Sequence, residues 1–186
     1  MKKNTFYLIG FISLIISLLI DNYISLFFSN IRNNAFDFLS VIVSYINTVM
    51  IFALMTLILY FINKKKEIIL MWIAFFSSGL LSLVIKLITN RTRPFIALNL
   101  DKIANIDYSF ASWNTSFLSW HTAALFTVYP FLDKKIKYYW LIFAFIITIN
   151  RVYTGFHYLS DLIAGALLGH MTIWIIIYLN KRFRIL

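Results

Sequence analysis

Six apolar runs bounded by charged residues constrain this sequence more than any other feature. A helix needs about 20 apolar residues, at 1.5 Å per residue, to cross a bilayer core of about 30 Å. Apolar residues make up 61% of the 186 residues and charged residues only 13%, and a chain of this length cannot bury so much apolar surface in water. The pattern predicts an all-α, polytopic membrane protein. The runs are Phe6–Ile20, Leu39–Ile62, Ile68–Ile88, Ser119–Leu132, Ile136–Val152 and Ser160–Leu179.

Hydropathy alone leaves the number of crossings open, because the fourth and fifth runs are short and the first can continue past Asp21 toward Phe28. The basic residues favour six transmembrane helices, since positively charged short loops stay on the cytoplasmic side. Eleven of the seventeen basic residues lie before the first run or just after the second, fourth or sixth run. Six spans with both termini inside place all of these positions on the cytoplasmic side. The formal charge of +10 therefore reflects topology and does not indicate nucleic-acid binding. The eleven are Lys2, Lys3, Lys64, Lys65, Lys66, Lys134, Lys135, Lys137, Lys181, Arg182 and Arg184.

The first run is interpreted as a retained helix and not as a cleaved signal peptide. Polar residues follow Ile20 where a small-residue cleavage site would stand. The next segment, Tyr23–Phe38, mixes aromatic residues with Asn and Arg, which is typical of a helix lying in the membrane interface. No internal repeat or long linker divides the chain, so a single membrane-embedded domain is expected over residues 1–186.

The remaining basic residues lie on the opposite, outer face. Lys86 falls near the end of the third run, a costly depth for an ammonium unless it lines a cavity or meets an anion. Arg93 precedes Pro94, which stops a helix and turns the chain. Arg91 and Lys102 fit either guidance of an anionic headgroup or a solvated loop. Taken alone, each cation also fits snorkelling to the interface. The six are Arg32, Lys86, Arg91, Arg93, Lys102 and Arg151.

Two of the three histidines share this outer face. His121 follows Ser119, a candidate N-cap, and a helix N-terminus is a ready anion site. His157 and Asp161 are four residues apart, so they share a helix face if the sixth helix begins by His157, and the carboxylate can then hold the imidazole. The third histidine, His170, is about 180° further around that helix and is predicted to be buried and hydrogen-bonded.

Two histidines, an aspartate and three cations on one membrane face suit transfer of a phosphoryl group. His157 is the better nucleophile, because Asp161 fixes its tautomer, and His121 can protonate the leaving oxygen. This chemistry needs neither a metal nor a cofactor, and the outer carboxylates are scattered in the sequence. The chain has no Cys, which excludes disulfides and thiolate chemistry.

Three motifs carry a family resemblance. The first, Lys86–Pro94, reads Lys-Leu-Ile-Thr-Asn-Arg-Thr-Arg-Pro; the second, Ser116–Thr122, reads Ser-Phe-Leu-Ser-Trp-His-Thr; the third, Arg151–Asp161, reads Arg-Val-Tyr-Thr-Gly-Phe-His-Tyr-Leu-Ser-Asp. In order and spacing they resemble the signatures of the type 2 phosphatidic acid phosphatase family, over a core of residues 86–169. The resemblance implies the helical bundle that this family shares with vanadate haloperoxidases, which are soluble and which the composition argues against.

The resemblance also implies a role for each site residue. His157 would form a phosphohistidine, Asp161 would support it and His121 would act as the general acid. The phosphate-binding residues would be Lys86, Arg93, Ser119, Trp120 through its amide, and Arg151.

Three positions depart from the family pattern: Leu118 stands where the family has Pro, Trp120 where it usually has Gly, and Asn150 where it often has Ser. A Trp can still donate its amide, but its side chain must leave the site, either onto a lipid headgroup or into the interface.

The function expected from these features is hydrolysis of a lipid phosphate or diphosphate at the outer face of a bacterial inner membrane. The spacing of the first two motifs looks like that of undecaprenyl diphosphate phosphatases, which makes undecaprenyl diphosphate the favoured substrate. Phosphatidylglycerophosphate, phosphatidic acid and the phosphates of lipid A stay open. Two alternatives of another class are a transporter or flippase-like protein and a catalytically degenerate protein that binds lipid phosphates.

Overall fold

The structure is a computed structural model that describes residues 3–46, 48–109 and 115–184. Within those ranges the chain is almost entirely helical, and the β-type pairing there is an isolated bridge between Thr92 and Thr115. The predicted all-α class is confirmed. The helices are α1 Lys3–Asn30, α2 Asn34–Ser44, α3 Thr48–Phe61, α4 Lys65–Thr89, α5 Pro94–Ala97, α6 Trp120–Val128, α7 Lys134–Tyr153 and α8 Leu159–Phe183.

Three helices of the described residues are long and apolar enough to cross a membrane: Thr5–Asn30 within α1, then α4 and α8. The pair α2 and α3 adds a fourth if it is counted as one span, although it is bent by 56° and is not the continuous helix predicted over Leu39–Ile62. The helix α6 has nine residues, and α7 carries basic residues near both ends. The chain is thus a multi-span membrane protein, and the count of six spans stays a prediction.

The prediction of one interfacial helix over Tyr23–Phe38 is wrong. The first helix continues through Asp21 to Asn30, and a new helix starts after Asn33, whose side chain accepts hydrogen bonds from two amides of α2. Asp21 does not end the helix because its carboxylate is not exposed to lipid. It is buried, and it accepts hydrogen bonds from Ser160 and pairs with Arg91.

Two glycines bring α6 and α8 into backbone contact. A Cβ added at Gly169 would lie 1.9 Å from the carbonyl oxygen of Ala123, and one added at Gly165 would lie 2.4 Å from that of Ser119. Small residues four apart on one helix face are a usual means of close packing between membrane helices. This contact sets the N-terminus of α6 beside the N-terminus of α8, where the predicted site residues converge.

His170 joins α8 to α1 at a distance from that site. It is buried, its Nε2 accepts a hydrogen bond from Trp174 at 3.0 Å, and its Nδ1 lies 3.1 Å from the hydroxyl of Tyr7. With Nε2 as the acceptor, Nδ1 carries the proton of a neutral ring. The prediction of a buried, hydrogen-bonded histidine is confirmed.

Candidate active site

All eight predicted site residues meet at one end of the bundle. The structure has a cavity there of about 450 Å³. Ser119 and Asp161, both fully buried, stand directly behind its wall. The eight residues come from helix ends and the loops beside them. The helix ends are the last turns of α4 and α7 and the first turns of α6 and α8. Six of the eight predicted site residues are among those that line the cavity: Lys86, Arg93, Trp120, His121, Arg151 and His157.

His157 and Asp161 form a pair, although not for the predicted reason. The last helix begins at Leu159, so His157 precedes it and the two residues do not share a helix face. The contact comes from capping, because the carboxylate of Asp161 folds back and its Oδ2 accepts the amide of Tyr158 at 2.9 Å. The same oxygen lies 3.3 Å from Nδ1 of His157. A carboxylate can only accept, so Nδ1 carries the proton and Nε2 keeps the free lone pair.

Three cations face the cavity without a carboxylate partner. Lys86 lies in the last turn of α4 and Arg151 in the last turn of α7. Arg93 caps α5 and donates from Nη1 to the carbonyl of Phe156 at 2.9 Å. The ion pairs within 4.0 Å among the described residues all involve Arg91 or His157 and none of these three. Clustered positive charges that no carboxylate of the protein pairs with are what an anion-binding site requires.

The N-terminus of α6 adds backbone donors. Ser119 is its N-cap, and its hydroxyl oxygen accepts from the amide and the hydroxyl of Thr122 at 3.5 and 3.2 Å. The amide of Ser119 donates to the carbonyl of Asp161 at 3.0 Å, which locks α6 to α8. Amides in the first turn of a helix have no partner within the helix, and the helix dipole favours negative charge there. His121 lies in this turn and lines the cavity.

The side chain of Trp120 extends toward α4 and lies between two cavities. Its ring packs against Phe75, with ring centroids 5.1 Å apart, and a Cβ added at Gly79 would lie 3.1 Å from the indole Nε1. Gly79 therefore makes the room that this bulky residue needs. The indole also lines a second, mainly apolar cavity of about 440 Å³ along α4, which shares Lys86 with the first. Trp120 thus forms the partition between a polar and an apolar space.

The other two departures from the family pattern have structural roles. Asn150 donates from its amide to Ser44 Oγ at 3.0 Å and to the carbonyl of Ser40 at 3.3 Å, which ties α7 to α2. The buried Leu118 precedes the N-cap of α6, and its carbonyl accepts from Ser82 of α4 at 3.4 Å. Neither side chain supplies a charge to the cavity.

Burial lowers the pKa of His157, which lies in the loop before α8, well below its usual value of 6.5, and the charges of Arg93, Lys86 and Arg151 lower it further. The ring of the folded protein therefore stays neutral at pH values somewhat below 6.5. If a neutral His157 is needed for activity, we expect kcat/KM for a lipid phosphate to begin its acid-side fall only below pH 6.5, measured from pH 4.5 to 8 with the titration of the substrate followed separately by ³¹P NMR. An acid limb centred above pH 6.5 would contradict a neutral His157.

The same shift has a consequence for stability. The unfolded chain, in which histidine has its ordinary pKa, binds more protons than the folded one once the pH falls below about 6.5. Proton binding by His157 in the unfolded chain therefore lowers the stability of the folded state progressively as the pH falls below about 6.5. Above that pH this penalty is absent.

Sequence reasoning missed the role of Arg91. It is neither a guide for headgroups nor a solvated loop residue, because it pairs with Asp21 at 2.7 Å and with Asp161 at 3.1 Å. The signal that could have found it is Asp21, an acid within a long apolar run, which needs a partner when buried. Lys102, by contrast, is exposed and lies 5.7 Å from the ring centroid of Tyr108.

Comparison with known proteins agrees with this fold. One relative, the bacitracin transport permease protein BcrC of Bacillus licheniformis, is 32% identical over 131 residues, which are 64% of this chain and 61% of that protein. The chain thus matches about three fifths of the length of that relative.

Two solved structures share the fold. LpxE from Aquifex aeolicus matches with a TM-score of 0.70 and 23% identity, over 86% of this chain and 95% of that one. A transmembrane PAP2 type phosphatidylglycerolphosphate phosphatase from Bacillus subtilis matches with a TM-score of 0.66 and 22% identity, over 96% of this chain and 95% of that one. Residues 67–185, which include every predicted site residue, match the PAP2 superfamily, and the chain belongs to that superfamily.

Proposed function

We propose that this protein hydrolyses the phosphate or diphosphate ester of a membrane lipid through a phosphohistidine at His157. One observation carries the proposal: a histidine oriented by a buried carboxylate opens into a cavity together with three cations that have no carboxylate partner. The cations suit the non-bridging oxygens of a phosphoryl group, and the histidine suits attack on phosphorus.

In the first step, Nε2 of His157 attacks phosphorus. A P–N bond forms while the bond between phosphorus and the leaving oxygen breaks, which is the ester oxygen of a monophosphate or the bridging oxygen of a diphosphate. His121, protonated beside the bound phosphate, gives that oxygen its proton. Asp161 keeps the proton on Nδ1 and stabilises the positive charge that builds on the ring. Lys86, Arg93 and Arg151 bind the oxygens whose charge must be held during transfer.

In the second step, water hydrolyses the phosphohistidine. His121, now neutral, takes a proton from the water as the water attacks phosphorus, the P–N bond breaks, and inorganic phosphate leaves with His157 restored. The three cations supply the positive charge that a metal ion supplies in other phosphatases. We therefore propose a reaction that needs no metal or other cofactor.

Undecaprenyl diphosphate is the substrate that we favour. A lipid diphosphate presents its charge at the membrane surface, where the helix ends of the cavity lie, and the resemblance to undecaprenyl diphosphate phosphatases in the first two motifs supports this choice. The alternatives are phosphatidylglycerophosphate, after which the Bacillus subtilis protein of the same fold is named, phosphatidic acid and the phosphates of lipid A.

We further propose that the protein lies in the bacterial inner membrane with both termini in the cytoplasm and the cavity on the outer side. The charge pattern supports this, because α4 begins beside Lys64–Lys66 and ends beside Lys86 in the cavity wall. The chain has no native Cys, so single cysteines introduced at Lys65 and Asp107 can be labelled with an impermeant maleimide. Labelling of intact cells at position 65 and not at 107 would reverse the orientation.

Release of phosphate by the purified protein tests the function. The four lipid classes are offered in parallel in the presence of EDTA, and a His157→Ala variant purified alongside is the blank. Release above the blank supports the proposed reaction, and the lipid with the highest kcat/KM is the preferred substrate. Release that stops with EDTA and returns with a divalent cation would overturn the metal-free step, and silence on all four lipids with folded protein would overturn the enzymatic function.

Trp120 distinguishes an enzyme from a degenerate binding protein. The indole partitions the two cavities, and its Nε1 has no hydrogen-bond partner among the described residues. In an active enzyme, Trp120→Gly merges the two spaces and loosens the lipid, so we expect kcat/KM to fall about tenfold, mostly through KM. Trp120→Phe keeps the ring and is the matched control. A Trp120→Gly variant that gains phosphate release over a silent wild type would show instead that the indole blocks catalysis.

Transport is the second candidate function, favoured by the name of the relative BcrC, a bacitracin transport permease protein. The cavity argues against it, because its charged groups sit at one end of the bundle and not at mid-membrane, where transporters bind their cargo. Uptake of bacitracin by sealed proteoliposomes, compared with His157→Ala, tests this candidate: uptake that survives the substitution would favour transport.

A further inference from the structure

Arg91 stands next to the active site without lining its cavity. It follows α4, two residues before Arg93, yet the cavity wall contains Arg93 and not Arg91. Its guanidinium donates to three oxygens on two helices: from Nη1 to Asp161 Oδ1 at 3.1 Å and to Ser160 Oγ at 2.7 Å, and from Nη2 to Asp21 Oδ2 at 2.7 Å. Arg91 is therefore committed to carboxylates of the protein and not to a ligand.

The two carboxylate oxygens of Asp161 have different partners. One oxygen, Oδ2, accepts the amide of Tyr158 and faces Nδ1 of His157, and the other, Oδ1, accepts from Arg91. A carboxylate held at only one oxygen can rotate about its Cβ–Cγ bond. Arg91 holds the second oxygen and so fixes the plane in which Asp161 meets the imidazole.

Arg91 is itself held by α1. Asp21 binds it with Oδ2, and with Oδ1 accepts the amide of Ser160 in the first turn of α8 at 2.9 Å. The Ser160 hydroxyl also donates to Asp21. The guanidinium stacks on Tyr158, with Cζ 3.9 Å from the ring centroid. The side chains of Asp21 and Asp161 are 3% and 0% exposed, so breaking this network would leave a buried carboxylate unpaired.

We propose that Arg91 is a positioning residue for the His157–Asp161 pair and that Asp21 of the first helix holds Arg91 in place. The inference rests on the proposed phosphatase function for its kinetic readout. It gives the N-terminal helix, which contributes nothing to the cavity wall, a specific part in catalysis.

Kinetics of four variants test the proposal. Arg91→Ala lowers kcat by roughly 10- to 100-fold, as expected when a catalytic group is misplaced by about an ångström, while KM stays within about twofold. Arg91→Lys, which can pair with Asp161 but cannot bridge both carboxylates, recovers part of that loss. Asp21→Asn gives a smaller loss in the same direction. The double variant Asp21→Asn/Arg91→Ala is expected to have the same kcat as Arg91→Ala alone, because both changes act through one guanidinium.

Two results would overturn the proposal. A rise in KM with kcat unchanged would show that Arg91 is a phosphate-binding cation. Losses in kcat that multiply in the double variant would show that Asp21 and Arg91 act independently. Lys102→Ala removes a neighbouring exposed cation that has no place in the network and should leave both constants unchanged. Arg91→Lys and Asp21→Asn keep the test valid if Arg91→Ala does not fold.

A readout that needs no turnover separates failure of this proposal from failure of the proposed function. The chain has three histidines, so NMR of protein labelled at histidine with ¹⁵N gives one set of ring signals for each. Arg91→Ala should shift the Nδ1–H signal of His157 and leave that of His170, in its own network with Tyr7 and Trp174, in place. An unmoved His157 signal would overturn the positioning role even in a protein that cleaves no lipid.

Discussion

His157→Ala abolishes phosphate release, with a fall in kcat of at least about 10⁴-fold, comparable with the loss of a nucleophile in other enzymes that use covalent catalysis. The reason is that Nε2 of His157 is the ring nitrogen left for phosphorus once Nδ1 is committed to Asp161. The measurement is phosphate release at saturating lipid, with folding checked by size-exclusion chromatography in detergent.

The matched variant His121→Ala separates the two histidines. It removes the group that we propose protonates the leaving oxygen and activates water, and it leaves His157 in place. With a substrate whose leaving group needs no proton, such as an aryl phosphate, His121→Ala should accumulate an acid-labile, base-stable phosphoprotein that His157→Ala cannot form. Labelled phosphate trapped on the His157→Ala protein would place the nucleophile elsewhere.

Gly169→Ala destabilises the fold by about 3 kcal/mol or more, at the upper end of what overpacking costs. The new Cβ would lie 1.9 Å from the carbonyl oxygen of Ala123 and 2.7 Å from its carbonyl carbon, so backbone must move and no side-chain rotation relieves the clash. Because α6 carries Ser119 and His121, its displacement from α8 should also lower activity. Thermal unfolding in detergent and phosphate release measure the two effects.

Gly10→Ala is the control for this prediction. A Cβ there also meets a close neighbour, at 2.5 Å, but the neighbour is the end of the Leu167 side chain, which can rotate away. The same Gly to Ala change on α1 should therefore alter the melting temperature little. Equal destabilisation by both substitutions would show that the α6–α8 backbone contact is not what limits stability.

The sequence predicted which side chains lie close together better than it predicted the path of the chain. Motif spacing brought out all eight residues that the structure places around one cavity, because the functional side chains occur at helix ends and beside breakers such as Pro94. The path of the chain between residues 23 and 61 was predicted less well. Whether a helix continues through Asp21, or bends between α2 and α3, depends on partners that are distant in the sequence and that hydropathy does not reveal.

Arg91 and Gly79 show the same limit at the site. Arg91 is one of several outer cations in the sequence, and only the proximity of Asp21 and Asp161 distinguishes its role from theirs. Trp120 looked disruptive because the space it needs is provided by a glycine on another helix, 41 positions earlier in the sequence. Local pattern predicts which residues carry the chemistry, whereas their mutual support comes from contacts between helices.

Because Asp21 caps α8, the first helix belongs to the structural unit that holds the site. The segment that matches the superfamily begins at residue 67 and includes His157, Asp161 and the three cations of the cavity, yet the carboxylate that braces the start of α8 comes from α1. A fragment trimmed to the matched segment would still be recognised as a relative but would lack that brace. Chimeras that exchange the first helix between relatives should therefore exchange residue 21 and residue 91 together.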